Sequence, residues 1–178
     1  MSSKARRLAA LLAIAISLVP LGGCRNPFLP STDISIPGIE FPGIGSTPEM
    51  TVFAATTVDY YMYRTTVYFT IHNKVDVVIS SANITYTDLA GNPVSAYAAT
   101  GGKNVKLKCR LYAPLTNDPN GNITALTLLA LDTRVYEALQ DPTLSPKYII
   151  CTMTFRGEDD NGYDVKLTAQ FTIKGYGF

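Results

Sequence analysis

From Thr51 to the end, the chain alternates apolar and polar residues in short stretches separated by turn signals. Between Arg64 and Asn73, Val67, Phe69 and Ile71 fall on one side and Thr66, Tyr68 and Thr70 on the other, the period of two that marks a strand with one buried face. The same beat recurs in Val77 to Thr87, Lys103 to Tyr112, Tyr148 to Gly157 and Tyr163 to Lys174. Thr51 to Thr57 reads as a first strand, Val94 to Thr100 as a short edge strand, and Ile123 to Leu131 as a nearly continuous apolar one. Asp59 to Tyr63 is an aromatic turn or strand lead-in, and Asp132 to Leu139 suits one or two helical turns capped by Asp132. Turns follow from Asp88 to Pro93, Gly101-Gly102 and Asp160-Asn161-Gly162, the last predicting a type I′ hairpin. About seven strands at spacings of roughly 8 to 12 residues predict an all-β fold, an antiparallel β-sandwich.

The alternation stops on the N-terminal side. Residues 25–49 hold Pro27, Pro30, Pro37, Pro42 and Pro48, and proline removes backbone donors, so neither a helix nor a central strand is expected. The reading is a linker over 24–49 and a folded domain over 50–178. Fully extended, such a tail reaches about 75 Å at ~3.1 Å per residue. Its segment Ile36 to Ile44 is more apolar than a plain spacer. It reads either as a spacer that docks on its own domain or as a partner-binding segment. Ahead of it, Lys4, Arg6 and Arg7 precede an apolar run from Leu8 to Leu21, too short to span a bilayer as a helix.

That run closes on Leu21-Gly22-Gly23-Cys24, which resembles the lipobox of bacterial lipoprotein precursors. The resemblance covers residues 1–24. It implies that residues 1–23 are a signal peptide and that Cys24 becomes the first residue. Its thiol would carry diacylglycerol and its amino group a further acyl chain, tethering the protein to a membrane of the bacterial envelope. At about 0.8 kcal/mol per buried CH₂, two or three chains hold almost permanently. Arg25 stands where an Asp would favour inner-membrane retention, so the resemblance leans toward the outer membrane. Thr87-Asp88-Leu89-Ala90-Gly91-Asn92-Pro93-Val94 is similar to hairpins of bacterial immunoglobulin-like domains, and implies that kind of sandwich.

Charge and candidate chemistry narrow the function. Loss of Lys4, Arg6 and Arg7 with the leader leaves 12 of the 15 basic residues against 14 acidic ones, a formal net charge of −2, against general nucleic-acid binding. Cys109 and Cys151 both take core-facing phase. In an oxidising compartment they are either a disulfide, worth about 3 to 4 kcal/mol by the loop-entropy model, or two buried thiols. His72 is the single histidine; it takes the solvent phase and nothing in the sequence marks a serine beside it. The acidic turn Glu158 to Gly162 with Asp164 does not have EF-hand spacing, and no metal site or cofactor beyond the acyl groups is expected. Lys106, Lys108 and Arg110 form a basic ladder. They serve either an anionic partner such as a phosphate or acidic polysaccharide, or protection of an edge from pairing. Tyr60, Tyr61, Tyr63 and Tyr68 suit core and rim packing, or an interface. The expectation is an envelope lipoprotein without catalysis, binding another envelope protein or a surface glycan, or supporting structure. An assembly factor using Ile36 to Ile44 is the alternative, and a hydrolase or metal enzyme ranks below both.

Overall fold

The computed structural model describes residues 29–41, 49–94, 97, 99–115 and 122–178, and for Tyr61 and Met62 the backbone alone. Leu21, Gly22, Gly23 and Cys24 lie outside the described residues. The chain is all-β, with eight strands among the described residues: β1 (Ile34–Glu40), β2 (Glu49–Phe53), β3 (Arg64–Ile71), β4 (Val77–Thr87), β5 (Lys103–Leu111), β6 (Asn122–Leu129), β7 (Tyr148–Asp159) and β8 (Asp164–Tyr176). One sheet has the order β1-β3-β6 and the other β2-β8-β7-β4-β5. Every pairing is antiparallel except β2 with β8, which is parallel.

The inward residues of the two sheets meet in one core. Val67, Phe69 and Ile71 of β3 are buried, as are Ile149, Cys151, Met153 and Phe155 of β7 and Val165, Ala169, Phe171 and Ile173 of β8. Phe69 meets Phe155 edge-on, with ring centroids 5.0 Å apart, a geometry worth about 0.5–1.5 kcal/mol beyond the buried area. β4 carries an irregularity between Ile79 and Ser81 against both neighbours. Opposite it, Gly157 pairs with Ile79, and a Cβ there would lie 2.1 Å from the Val78 carbonyl oxygen.

Three expectations change. Part of the proline-rich tail is a strand: β1 pairs along β3 as the edge of its sheet, with a register shift between Ser35 and Gly38 around Pro37. An edge strand tolerates the lost donor at such a shift. Ile34, Ile36 and Ile39 pack on the core and Phe41 is buried against Phe171 at 4.9 Å, so the chain changes sheets between β1 and β2. Second, no strand forms after Pro93 as far as the described residues show. Pro93 makes one isolated bridge with Thr87, and Tyr97 turns inward, its ring 4.9 Å from that of Tyr86. Burying that ring outweighs extending an edge. Third, the Asp160-Asn161-Gly162 loop is not type I′. Only Gly162 has positive φ, at 80°, and the Asp159 N–H bonds to the Tyr163 carbonyl across a three-residue loop. This is the form in which glycine follows a right-handed turn.

The helix α1 (Thr133–Gln140) joins β6 to β7, and Asp132 caps it by accepting the Val135 N–H at 3.2 Å. It buries Val135, Tyr136, Ala138 and Leu139, one stripe of its surface.

Candidate functional site

Strand register assembles the surface with most chemistry on the outer face of the five-stranded sheet. Ser81 of β4 pairs with Lys106 of β5 on one side and with Arg156 of β7 on the other, and Arg156 pairs with Lys166 of β8. Lys106, Arg156 and Lys166 are exposed. They form one row across four strands, spaced by about 4.8 Å per strand. No carboxylate of the described residues lies within ion-pair distance of these three. On one side of the row Glu158 faces Asp164. On the other stand Asn104, Asn83, Thr154 and Thr168, again in register. The Asn83 amide donates to Asn104 Oδ1 at 2.8 Å, and Gln170 donates to Thr152 Oγ1 at 3.1 Å in the next row. Like charges directly across a ladder destabilise it, and here Arg156 faces Lys166. An open groove of about 730 Å³ adjoins one end of this row, lined by Ser81 and Arg156 and by the acidic Glu158, Asp159, Asp160 and Asp164; Lys106 and Lys166 stand outside it.

The basic ladder is thus divided. Lys106 and Lys108 point outward, while Arg110 is held by Asp76 at 3.2 Å and Asp160 at 2.6 Å. These carboxylates raise its already high pKa, the Asp76 hydrogen bond contributing most. Arg156 and Lys166 join Lys106 through pairing that the linear order hides. Their solvent phase on β7 and β8 was the one available signal.

Cys109 and Cys151 are both free thiols, and the register explains why they are not bridged. Both lie in the five-stranded sheet with β4 between them, Cys109 opposite Ile79 and Cys151 opposite Tyr86. The offset along β4 corresponds to roughly 23 Å, against the ~7 Å limit for a disulfide. Burial pushes both thiols up in pKa, Cys151 the more strongly.

His72 is exposed, as expected, yet Ser35 Oγ lies 2.9 Å from its Nε2. The two are 37 residues apart, and β1–β3 pairing joins them, so a tail read as linker gave no hint. A hydroxyl on an imidazole is the start of a nucleophile–base pair, but among the described residues no carboxylate hydrogen-bonds to the ring. The described residues contain no group of three His, Cys, Asp or Glu side chains placed to hold a metal.

The acidic turn serves the tail. Asp159, 3% exposed, accepts the N–H groups of Asn161 and Tyr163 at Oδ1, both at 2.9 Å, and that of Thr32 at Oδ2, at 2.8 Å. The Asn161 amide donates to the Pro30 carbonyl at 2.8 Å and the Tyr163 hydroxyl to that of Leu29 at 2.9 Å.

At the other end a hollow of about 390 Å³ lies beside Tyr97, Lys103, Asp132 and Arg134. Asp132 is occupied there by the Tyr97 hydroxyl at 2.6 Å and by Lys103 at 3.3 Å. Desolvation pushes its carboxyl up. The Tyr97 hydroxyl, the Val135 N–H and Lys103 outweigh this and hold it below the usual range. The tyrosines scatter: Tyr60 packs edge-on to Tyr136 at 6.4 Å, whereas Tyr68 donates to Glu40 on the outside of the three-stranded sheet.

No family model matches the chain, and no curated protein matches it. Among solved structures it is similar to a Bordetella pertussis protein provisionally assigned as ApaA. Their TM-score is 0.37 and identity 12%, over 84% of this chain and 99% of that one. It is also similar to a second structural-genomics target, at TM-score 0.27 and 9% identity, over 83% and 86% of the two chains. Both likenesses are too slight to carry a function to this chain.

Proposed function

We propose that this is a lipid-anchored protein of the bacterial envelope, carried on the outer membrane. Its immunoglobulin-like β-sandwich binds an acidic surface glycan on the outer face of the five-stranded sheet and catalyses no reaction. The sheet orders support the sandwich reading. The N-terminal strand is divided, β1 against β3 in one sheet and β2 parallel to β8 in the other. The remaining orders then correspond to immunoglobulin strands B-E and G-F-C-C′. The observation that carries the binding role is the unpaired row Lys106, Arg156 and Lys166. Such a row is poorly explained by stability, because its facing cations repel each other until an anion bridges them. The flanking hydroxyls and amides suit sugar hydroxyls, and strand spacing is close to the rise of a pyranose chain. The apolar stretch invoked for an assembly role is occupied by its own core as far as Phe41; residues 42–48 lie outside the described residues.

Two experiments test this reading. Cys24→Ser in cells is expected to abolish acylation and membrane retention, read by mass spectrometry and fractionation. An acylated variant protein would sink the anchor. For the face, Arg156→Gln/Lys166→Gln is expected to weaken binding to polygalacturonate about tenfold, from ~0.5–1 kcal/mol per exposed charge pair. Thermal stability should be unchanged or slightly higher. Neutral dextran binding as well as the polyanion, or an unaffected variant, would reject the face.

A further inference from the structure

We infer that the end of the domain where the tail joins it rests on the membrane surface, with Leu115, Tyr112, Ile123 and Leu29 in the lipid interface. This rests on the reading that the chain is anchored at Cys24. The tail is held from Leu29 onward: the Leu29 and Pro30 carbonyls accept from Tyr163 and Asn161, and the Thr32 N–H bonds to Asp159. Only the chain between Cys24 and Leu29 is then left as tether. At no more than ~3.6 Å per residue it spans at most about 18 Å, not the 75 Å of a free 25-residue spacer. β8 alone, at 13 residues, is about 43 Å long. While the tail stays clamped, the domain therefore cannot stand on its far end with the tail end away from the bilayer.

Exposed apolar side chains stand at both ends, Phe53 at 55% and Tyr176 at 64% on the far one, so it is the tether that selects which set meets the bilayer. Tyr112 follows Leu111, which pairs with Val77, which pairs with Asp159 beside the tail. Asn122, at the start of β6, donates to the Tyr112 carbonyl at 2.9 Å, which brings Ile123 to the same end. Leu115 is 99% exposed, Tyr112 59%, Ile123 58% and Leu29 43%. At the far end Phe53 and Tyr176 lie edge-on to each other, 5.6 Å apart. Leucine, isoleucine and tyrosine side chains held within the tether's reach suit the boundary between acyl chains and headgroups.

The charges at this end do not favour an anionic surface. Arg110 is held by Asp76 and Asp160, and Glu158 faces Asp164 across the β7–β8 ladder. Contact is therefore apolar, made effective by the tether, and needs no anionic lipid.

The chain contains no tryptophan, so an introduced one reports a single place. Full-length protein carrying Leu115→Trp, or Phe53→Trp as the far-end control, is reconstituted with its anchor into phosphatidylcholine–phosphatidylethanolamine vesicles containing brominated acyl chains. The Leu115→Trp emission is expected to be blue-shifted and quenched at least twofold more than that of Phe53→Trp. The difference should persist in ~1 M salt, where the Debye length is ~3 Å. Equal quenching, stronger quenching at the far end, or loss of the difference in salt would overturn the inference. Acyl mass at Cys24 is read on the same preparation. If it is absent, the anchor reading fails and the inference falls with it; acyl mass present with equal quenching overturns the inference alone.

Discussion

Asp159→Ala is expected to lower the free energy of unfolding by about 3 kcal/mol in urea denaturation, the cost of depriving three backbone donors of a charged acceptor. The carboxylate is 3% exposed and bonds to both the Asn161 and Tyr163 N–H groups within its own turn and to Thr32 in the tail. Its loss therefore loosens the β7–β8 turn and the join of the tail together. Asp159→Asn keeps the shape and one oxygen, so about half the loss is expected. Limited proteolysis near residue 30 should accelerate in the alanine variant. A change below about 1 kcal/mol would mean that water replaces the carboxylate without penalty and that the tail is not clamped.

Gly157→Ala is expected to destabilise by about 3 kcal/mol as well, by a different route. Its Cβ would stand 2.1 Å from the Val78 carbonyl oxygen and 2.9 Å from the Ile79 Cα. Those neighbours are backbone atoms in a ladder, which cannot rotate away as a side chain does. Either β4 shifts from β7 at the irregularity, or the hydrogen bonds beside it break; overpacking in rigid surroundings costs about 1–3 kcal/mol and occasionally more. Equilibrium unfolding and backbone amide exchange across Val78 to Ser81 measure it. Wild-type stability in this variant would show that the two strands have room to separate.

Much of the domain was legible because a strand with one buried face is local information. β4 occupies the expected residues, Val77–Thr87, and β3, β5, β7 and β8 differ from expectation by one or two residues at their ends. The cap at Asp132 was equally plain, because an N-cap works within a few residues of itself. β6 was found as a nearly continuous apolar strand, and Ile123 on it is exposed. Apolar content does not say whether a partner covers both faces. Among the described residues no strand follows Pro93, and the Tyr97 ring packs on Tyr86 instead, a contact that no local pattern encodes.

The candidate surface was less legible. Lys106 and Lys108 were visible along one strand, but the row of Lys106 continues to Arg156 and Lys166, about 50 to 60 residues away, through strand order. The disulfide question turned on the same matter. Both cysteines had inward phase, but β4 lies between their strands and they stand opposite residues far apart along it. Ser35 beside His72, and the acidic turn as a holder of the tail, were hidden because a proline-rich segment carries no alternation to announce that it will pair.

Residue order was enough for the alternating strands β3, β4, β5, β7 and β8 and for their buried sides, since each depends on neighbours within a few bonds. Sheet order, the division of the first strand between two sheets, the gathering of cations into one row and the clamping of the tail from Leu29 onward came from folding. Each is a meeting of segments far apart in the chain. Which segments meet is settled by how all the apolar faces are buried at once, a condition no single stretch contains.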